Sequence, residues 1–234
     1  MGSLAAVDEL DGLQLADALR AGIYRLFRST DHINRINVFP VPDGDTGTNM
    51  AMTLSSVLTA LDREPLANAG AVLTRAADAA LDGARGNSGA ILAQFLLGLG
   101  DRAGSLVRIG TREFAAAVSA GAAYAREALS EPREGTLLTI LTDFAREVSQ
   151  LTAGGRSLDF RSMFDSALTP LRRSLAGTQQ QLEALRDAGV VDAGALGMVE
   201  VLEGFGDYLR TGDVGASSAP AHQDDEPMAL GGAA

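Results

Sequence analysis

Apolar residues recur every three or four positions along almost the whole chain, and this period is that of α-helices with one buried face. In the first such segment the apolar positions are Leu15, Leu19, Ile23 and Leu26, and Asp11 precedes them as a candidate N-cap. No segment alternates with period two for long enough to predict a strand. The pattern predicts an all-α, single-domain bundle of about eight helices joined by glycine-rich turns.

The same helical period continues in the later segments of the chain. Thr111 is placed to cap one of these helices and either Asn87 or Ser88 to cap another, while Pro170 is expected to disturb the helix that contains it. Several helices are rich in alanine and glycine, so their axes are expected to approach closely. These helices are predicted over residues 50–61, 67–84, 88–99, 111–129, 136–151, 160–175 and 195–209.

The composition changes near both ends of the chain. Residues 1–8 are interpreted as an N-terminal extension and residues 9–210 as the helical domain. Residues 211–234 are rich in serine, proline and acidic residues, have few apolar residues, and are predicted to be a disordered acidic tail. Of the two histidines, His222 lies in this tail and His32 lies in the first helix, so neither is expected to be catalytic.

Residue types that are absent exclude several kinds of chemistry. There is no cysteine, and all 19 basic residues are arginine. The chain therefore lacks the residues for thiol catalysis, disulfides, thiolate metal sites and Schiff bases. It also lacks the lysine on which the nucleotide sites of P-loop proteins and protein kinases depend. The net charge of −11 argues against nucleic acid as a partner.

Sequence signals for export and for membrane insertion are missing. The N-terminus has no basic stretch followed by an apolar run. No apolar run approaches the roughly 18 residues that a membrane span needs. We therefore expect no membrane span and a cytoplasmic location.

The most informative segment is 37–50, in which Asp43 and Asp45 flank Gly44 directly before a predicted helix. Two carboxylates in so short a loop repel each other, and a divalent cation relieves this repulsion. Magnesium commonly takes one or two protein carboxylates and completes its shell with water and phosphate oxygens. Gly47, Thr48 and Asn49 follow at the helix start, where free N–H groups favour phosphate. The segment therefore predicts a site for magnesium and phosphate.

Two other interpretations of this segment were compared with the magnesium site. If Asp43 is taken as position one of a calcium-binding EF-hand, positions six and twelve are Thr48 and Leu54 instead of glycine and glutamate. The EF-hand is therefore excluded. The alternative that stays open is an ordinary turn of proline, aspartate and glycine that ends in a capped helix.

Further polar, glycine-containing loops each precede a predicted helix, at residues 83–89, 133–136 and 191–197. Taken singly, each loop is typical of a tight connection between helices. If the bundle brings them to one end, their helix dipoles and free N–H groups attract a polyanion such as a nucleoside triphosphate.

These motifs, taken in order, resemble the DAK2 (DhaL-type) domain. This domain family includes the L domain of dihydroxyacetone kinases and the N-terminal ATP-binding domain of bacterial fatty-acid kinases. The resemblance covers roughly residues 9–210 and rests on segments 37–50, 83–89, 134–136 and 191–194. It implies an eight-helix up-down barrel with ATP or ADP at one rim and magnesium between the phosphates and the loop carboxylates.

The resemblance also implies roles for individual residues. Asp43 and Asp45 match the catalytic magnesium ligands, and Asn37 is the nearest candidate for a third ligand, which in dihydroxyacetone kinases is an aspartate. Residues expected to contact the phosphates are Thr46, Gly47, Thr48, Asn49, Asn87, Ser88 and Gly89. Residues expected to border the adenosine are Gly135, Thr136, Asp192, Ala193 and Gly194.

The function implied is that of a phosphotransferase: a kinase domain or subunit that binds Mg-ATP and is incomplete without a partner. The partner presents the acceptor, which is a fatty acid on a DegV-like carrier or dihydroxyacetone (glycerone) on a dihydroxyacetone-binding subunit. Two alternatives stay open. One is a non-catalytic adenine-nucleotide-binding module with a regulatory or interaction role, and the other is a protein whose tightly bound ADP serves as a phosphotransferase cofactor.

Overall fold

The long helices form a closed ring in the computed structural model, which describes residues 6–153 and 158–215. Each long helix packs against the next one along the chain, and the last packs against the first. The short helix α8 connects α7 to α9 and packs on α7. The helices are α1 Gly12–Arg35, α2 Thr46–Arg63, α3 Ala69–Gly83, α4 Gly86–Ala103, α5 Thr111–Glu127, α6 Leu137–Ala153, α7 Phe160–Gln181, α8 Glu183–Ala188 and α9 Ala193–Thr211.

This arrangement confirms the predicted all-α fold, and in the described part of the chain the barrel consists of eight long helices. Consecutive helices run in opposite directions, so that α2, α4, α6 and α9 begin at the same end. We call this end the rim. The predicted helix at 195–209 is α9, and the short α8 is the one helix that the sequence pattern did not indicate.

Several helices begin or end away from their predicted positions. The second helix begins at Thr46 instead of residue 50, because Gly47 allows the first turn to lie against α1: a Cβ atom on it would lie 2.5 Å from the Thr30 carbonyl oxygen. The predicted caps of α4 and α5 are wrong, since Arg85 and Gly110 occupy the N-cap positions.

Helix α7 continues through Pro170 to Gln181. Proline removes one backbone hydrogen bond from a helix. The residues on either side of it, Phe164, Leu168 and Leu171, are buried in the core, and this packing outweighs the loss. The expected disturbance therefore does not end the helix.

A two-residue antiparallel ladder joins β1, Glu9–Leu10, to β2, Ile109–Gly110. A pairing this short has no sequence period to reveal it. The ladder brings the chain before α1 to the connection between α4 and α5. Val7, in the predicted N-terminal extension, accepts a hydrogen bond from the Phe160 N–H at 2.8 Å.

The barrel interior is apolar. Phe164 and Phe205 stack with ring centroids 4.7 Å apart, and Phe114 contacts both rings and Phe160. A remaining cavity of about 60 Å³ is lined entirely by apolar side chains, among them those of Phe114, Phe205, Leu73 and Phe95. The interior therefore has no polar group positioned to bind a polar ligand in that cavity.

Glycines at two helix contacts confirm the predicted close approach. A Cβ atom on Gly22 of α1 would lie 2.5 Å from the Val201 carbonyl oxygen. A Cβ atom on Gly204 of α9 would lie 2.6 Å from the Ala21 carbonyl oxygen. A Cβ on Gly98 would similarly lie 2.6 Å from the Cα of Gly121. These distances are too short for any side chain, so glycine sets the spacing of α1 from α9 and of α4 from α5.

Helix α9 ends at Thr211, and Gly212 follows it at φ +73°. The chain then turns back toward α1, where the Arg28 Nη1 donates a hydrogen bond to the Gly215 carbonyl at 3.2 Å. The predicted disordered acidic tail lies outside the described residues from position 216 onward.

Candidate functional site

Asn37 fixes the loop that precedes α2. Its side chain is buried, its Oδ1 accepts hydrogen bonds from the Thr46 N–H at 3.0 Å and from the Thr46 hydroxyl, and its Nδ2 donates to the Val41 carbonyl at 2.8 Å. The amide oxygen that was predicted as a magnesium ligand thus already accepts two hydrogen bonds. Asn37 therefore positions the loop, and its role as a third magnesium ligand stays a prediction.

The start of α2 is also fixed by Asn34, in the last turn of α1. Its Oδ1 accepts from the Thr48 N–H at 3.1 Å, and its Nδ2 donates to the Thr48 Oγ1 at 2.9 Å. Asn34 lies outside the segment 37–50, and no sequence pattern marks it as part of the site. Because Thr48 Oγ1 accepts from Asn34, its own hydroxyl hydrogen can be donated to a ligand.

Asp43 and Asp45 lie exposed on the loop between α1 and α2, on either side of Gly44 at φ +68°. No cluster of three or more histidine or carboxylate side chains in described parts of the chain is placed to hold a metal. Two exposed carboxylates do fit magnesium that obtains its other ligands from water and phosphate. The donor set therefore suits a metal that binds together with a nucleotide.

The start of α4 lies directly against α2. Gly86 has φ +59°, and a Cβ on it would lie 2.5 Å from the Asn49 Nδ2. The buried Thr53 accepts a hydrogen bond from the Arg85 N–H at 3.0 Å through its Oγ1. Thr53 was not identified from sequence, since a threonine inside a helix carries no distinguishing pattern. These contacts bring the loop at 83–89 next to the loop at 37–50.

Neither of these two helix starts is capped by its own N-cap side chain. Asp45 precedes α2 and Arg85 precedes α4, and neither makes a side-chain cap hydrogen bond. Asn34 and Asn37 supply acceptors for two N–H groups of α2, whereas Asn87 is exposed and Ser88 half-buried at the start of α4. An uncapped helix start is a favourable position for an anion. The start of α4 is therefore the more open of the two.

Asp192 caps α9 and also contacts α6. Its Oδ2 accepts from the Ala195 N–H at 2.8 Å. Its own N–H donates to the buried Thr178 Oγ1 at 3.0 Å. Burial raises the pKa of Asp192 to about 6, and the nearby backbone N–H groups of Ala195, Leu137 and Gly194 counteract this increase in part.

The predicted adenosine loop at 192–194 is therefore interior. Asp192 is 5% exposed and Ala193 2% exposed, and Gly194 is also buried. A Cβ on Gly194 would lie 3.1 Å from the Ser88 Oγ and 3.2 Å from the Leu137 Cβ. The loop therefore positions α9 against α4 and α6, and its contact with the adenosine stays a prediction.

The loop before α6 lies against the end of α7. Gly135 has φ +83°, a Cβ on it would lie 2.7 Å from the Gln181 Cβ, and its N–H donates to the Thr139 Oγ1 at 2.8 Å. Thr136 precedes the helix, and its hydroxyl donates to the Arg133 carbonyl at 2.7 Å. Thr136 is half-buried, whereas the other residues predicted to border the adenosine are buried. Thr136 is therefore the residue of that set that is partly exposed at the rim.

All four predicted polar loops thus meet at the rim. Asn49 of α2 contacts the start of α4, and Ser88 of α4 and Leu137 of α6 both contact Gly194 of α9.

Among the described residues, no helix is long and apolar enough to cross a lipid bilayer. His32 lies exposed in the last turn of α1.

Comparisons with known proteins agree with this architecture. The family model of the DAK2 domain matches residues 40–207. Protein YloV of Bacillus subtilis (strain 168) is 36% identical over 200 residues, which are 86% of this chain and 36% of YloV. An uncharacterized protein of Staphylococcus aureus (strain USA300) is 32% identical over 219 residues, 94% of this chain and 40% of that protein. The chain thus spans two fifths or less of the length of these relatives.

Among solved structures, the crystal structure of the dihydroxyacetone kinase from C. freundii in complex with AMP-PNP and Mg²⁺ is similar to this chain. The TM-score is 0.63 at 16% sequence identity, and the match covers 88% of this chain and 36% of the kinase chain. The native form of the same kinase gives a TM-score of 0.61. At this level of identity the similarity is one of fold.

Proposed function

The chain belongs to the DAK2 domain family, and from this premise we propose that it is the nucleotide-binding part of a kinase. It binds Mg-ATP at the rim and transfers the γ-phosphoryl group to a small acceptor that a partner protein presents. The observation that carries this proposal is the start of α4, which no N-cap side chain caps, next to the loop with two exposed carboxylates. The dihydroxyacetone kinase that shares the fold was crystallised with AMP-PNP and Mg²⁺, which supports the choice of ligand.

Asp43 and Asp45 would hold the magnesium. When bound, the metal neutralises phosphate charge and connects the carboxylates to the nucleotide. The chain itself holds the loop that carries both carboxylates, because Asn37 bonds to the Val41 carbonyl on one side of them and to the Thr46 N–H on the other. This fixed geometry lowers the cost of ordering the loop when the ligand binds.

The phosphates would lie at the start of α4. There Asn87 and Ser88 offer side chains and the first turn offers N–H groups, and Thr48 can donate its hydroxyl from α2. The chain contains no lysine that could bind the phosphates. We assign stabilisation of the transferred group to the metal, the helix dipoles and the neutral donors, with the exposed Arg85 at the N-cap position of α4 as a cationic side chain beside them. This agrees with the small amount of covalent chemistry that phosphoryl transfer requires.

The acceptor is expected to come from outside the barrel. The interior cavity of about 60 Å³ is entirely apolar, so it offers no hydrogen bond to an acceptor hydroxyl or carboxylate. A fatty acid on a DegV-like carrier and dihydroxyacetone on its binding subunit are the two acceptors that we propose, on the basis of family resemblance.

Calorimetric titration of AMP-PNP and ADP, with and without magnesium, tests the nucleotide site. We expect binding only with magnesium, and we expect Thr48→Val to weaken it. Thr59→Val is the matched control, because Thr59 lies on the same helix away from the rim and donates its hydroxyl to the Ser55 carbonyl. Equal affinity with and without magnesium would contradict the proposal.

A second experiment tests the kinase activity. The chain alone is expected to leave free fatty acid and free dihydroxyacetone unphosphorylated, and the matching carrier protein is expected to start turnover. Nucleotide binding without turnover on either carrier-bound acceptor would indicate the non-catalytic module instead. ADP that stays bound through purification, and that a phosphotransferase rephosphorylates, would indicate the cofactor alternative.

A further inference from the structure

Three polar side chains of α2 face the connection between α3 and α4. They are Asn49, Thr53 and Ser56, which follow one another at intervals of four and three positions and therefore lie on one face of the helix. We call these three residues the α2 polar stripe. The stripe faces the segment 83–89, which contains the proposed phosphate donors at the start of α4.

Each residue of the α2 polar stripe meets one glycine of that segment. A Cβ atom on Gly83 would lie 2.1 Å from the Ser56 Oγ, and a Cβ atom on Gly89 would lie 2.3 Å from the Thr53 Oγ1. The contact between Gly86 and Asn49 is the third of this kind. A side chain at any of these glycines would displace the stripe or push the segment away from α2. The three glycines therefore let the segment lie directly on α2.

Thr53 is the residue of the stripe that also joins the segment by a hydrogen bond. Its side chain is fully buried, and its Oγ1 accepts from the Arg85 N–H at 3.0 Å. Its hydroxyl donates to the Asn49 carbonyl at 2.8 Å. The one hydroxyl hydrogen of Thr53 is thus in use within the protein, so it is not available to a ligand. Any effect of Thr53 on the site therefore passes through the Arg85 backbone.

We propose that Thr53 is a positioning residue that sets the affinity for the nucleotide phosphates by holding the first turn of α4 against α2. This inference rests on the proposed nucleotide site. Arg85 is the N-cap of α4, and Asn87 and Ser88 follow in the first turn of the helix. Thr53 thus fixes the place of the phosphate donors without contacting the ligand itself.

Helix α2 connects the two parts of the proposed site. It begins directly after the loop with Asp43 and Asp45. About two turns further along the same helix, Thr53 holds the N-cap of α4. The distance between the proposed magnesium ligands and the proposed phosphate donors is therefore set within one rigid element.

Replacement of Thr53 by valine puts a methyl group where the hydroxyl lies. The methyl group cannot accept a hydrogen bond, so the Arg85 N–H loses its partner. The Arg85 nitrogen lies 3.0 Å from the Thr53 Oγ1, whereas non-bonded carbon atoms keep about 3.5–4.0 Å. The start of α4 therefore has to move away from α2 in Thr53→Val. Thr53→Ser keeps the hydroxyl and removes only a methyl group.

The first test follows the hydrogen bond without any nucleotide. We expect the Arg85 amide hydrogen to exchange with solvent at least roughly tenfold faster in Thr53→Val than in the wild type. Thr53→Ser is expected to keep the slow exchange because serine supplies the same acceptor. An Arg85 amide that exchanges in the wild type as fast as an unprotected loop amide would overturn the inference, even if Thr53→Val fails to fold.

The second test measures AMP-PNP affinity with magnesium by calorimetry. We expect Thr53→Val to bind roughly tenfold more weakly than the wild type, and Thr53→Ser to stay within about twofold of it. Thr152→Val is the matched control and is expected to bind like the wild type. Thr152 is also a buried threonine that donates to a carbonyl of its own helix, that of Val148 at 2.8 Å, but it lies in the last turn of α6, away from the rim. Equal weakening by Thr53→Ser and Thr53→Val would contradict the proposed role of the hydroxyl.

A double variant separates positioning from a general loss of stability. Ser88→Ala removes one of the donors that Thr53 is proposed to position. It should weaken AMP-PNP binding less in the Thr53→Val background than in the wild type, because the donor is already displaced there. Additive effects of the two substitutions would count against positioning. Absence of AMP-PNP binding to the wild type would overturn the proposed function instead, while exchange of the Arg85 amide would still decide whether Thr53 holds the start of α4.

Discussion

Asn34 and Thr48 form a reciprocal pair of hydrogen bonds between the end of α1 and the start of α2. The Thr48 N–H donates to the Asn34 Oδ1 at 3.1 Å, and the Asn34 Nδ2 donates to the Thr48 Oγ1 at 2.9 Å. The two residues are 14 positions apart, and the loop with both proposed magnesium ligands lies between them. The pair thus closes that loop at its base.

Asn34→Ala is expected to loosen this closure. Loss of both bonds should cost about 1 kcal/mol of folding stability and weaken magnesium-dependent nucleotide binding severalfold, because the loop then has to be ordered by the ligand. Urea denaturation and calorimetry measure the two effects. Asn68→Ala is the matched control, since Asn68 precedes α3 without a side-chain cap bond. Equal effects of the two variants on affinity would contradict the prediction.

Asp43→Asn combined with Asp45→Asn is expected to remove the magnesium-dependent part of nucleotide affinity, a loss of at least roughly tenfold or about 1.4 kcal/mol. Both side chains are exposed, so the melting temperature should change little. Asp78→Asn, at an exposed position of α3, is the control for the loss of a surface carboxylate away from the loop. Unchanged affinity in the double variant would disprove the assignment of the metal ligands.

Gly86→Ala is expected to weaken nucleotide binding as well as folding. The φ of +59° at Gly86 is costly for alanine, and the added Cβ atom would displace the Asn49 side chain from the start of α4. Gly212→Ala separates the two effects, because Gly212 has φ +73° and nothing within 4 Å of an added Cβ. We expect a destabilisation of about 1–2 kcal/mol from the positive φ in both variants. Only Gly86→Ala should alter nucleotide affinity.

The stability of the fold is expected to depend on pH through Asp192. Its pKa is raised from 3.8 to about 6 in the folded chain, so its contribution is fully present below about pH 4 and is lost as the pH rises through 6. Relative to Asp192→Asn, the wild type should lose about 3 kcal/mol of unfolding free energy between pH 4 and pH 7. Urea denaturation across this range measures the unfolding free energy of both proteins. If the wild type instead becomes more stable relative to Asp192→Asn as the pH rises, the pKa of Asp192 is lowered and the prediction is wrong.

Local sequence features predicted the helices well because a helix depends on residues three and four positions apart. The period of Leu15, Leu19, Ile23 and Leu26 indicated α1, and Asp11 caps it as expected. The helix starts were less accurate. Gly47 and Gly86 lie in the first turns of α2 and α4, where they pack against a neighbouring helix, and such contacts are absent from local sequence.

By itself the sequence determined the helical class, the order of the polar loops and the family to which these motifs belong. The tertiary structure decided which loops meet and which side chains are buried. It placed the predicted ligand Asn37 and the predicted adenosine residue Asp192 inside the protein, and it brought Asn34 and Thr53 to the site. The physical reason is that burial and contact between distant residues arise from closure of the helix ring, in which α9 packs against α1.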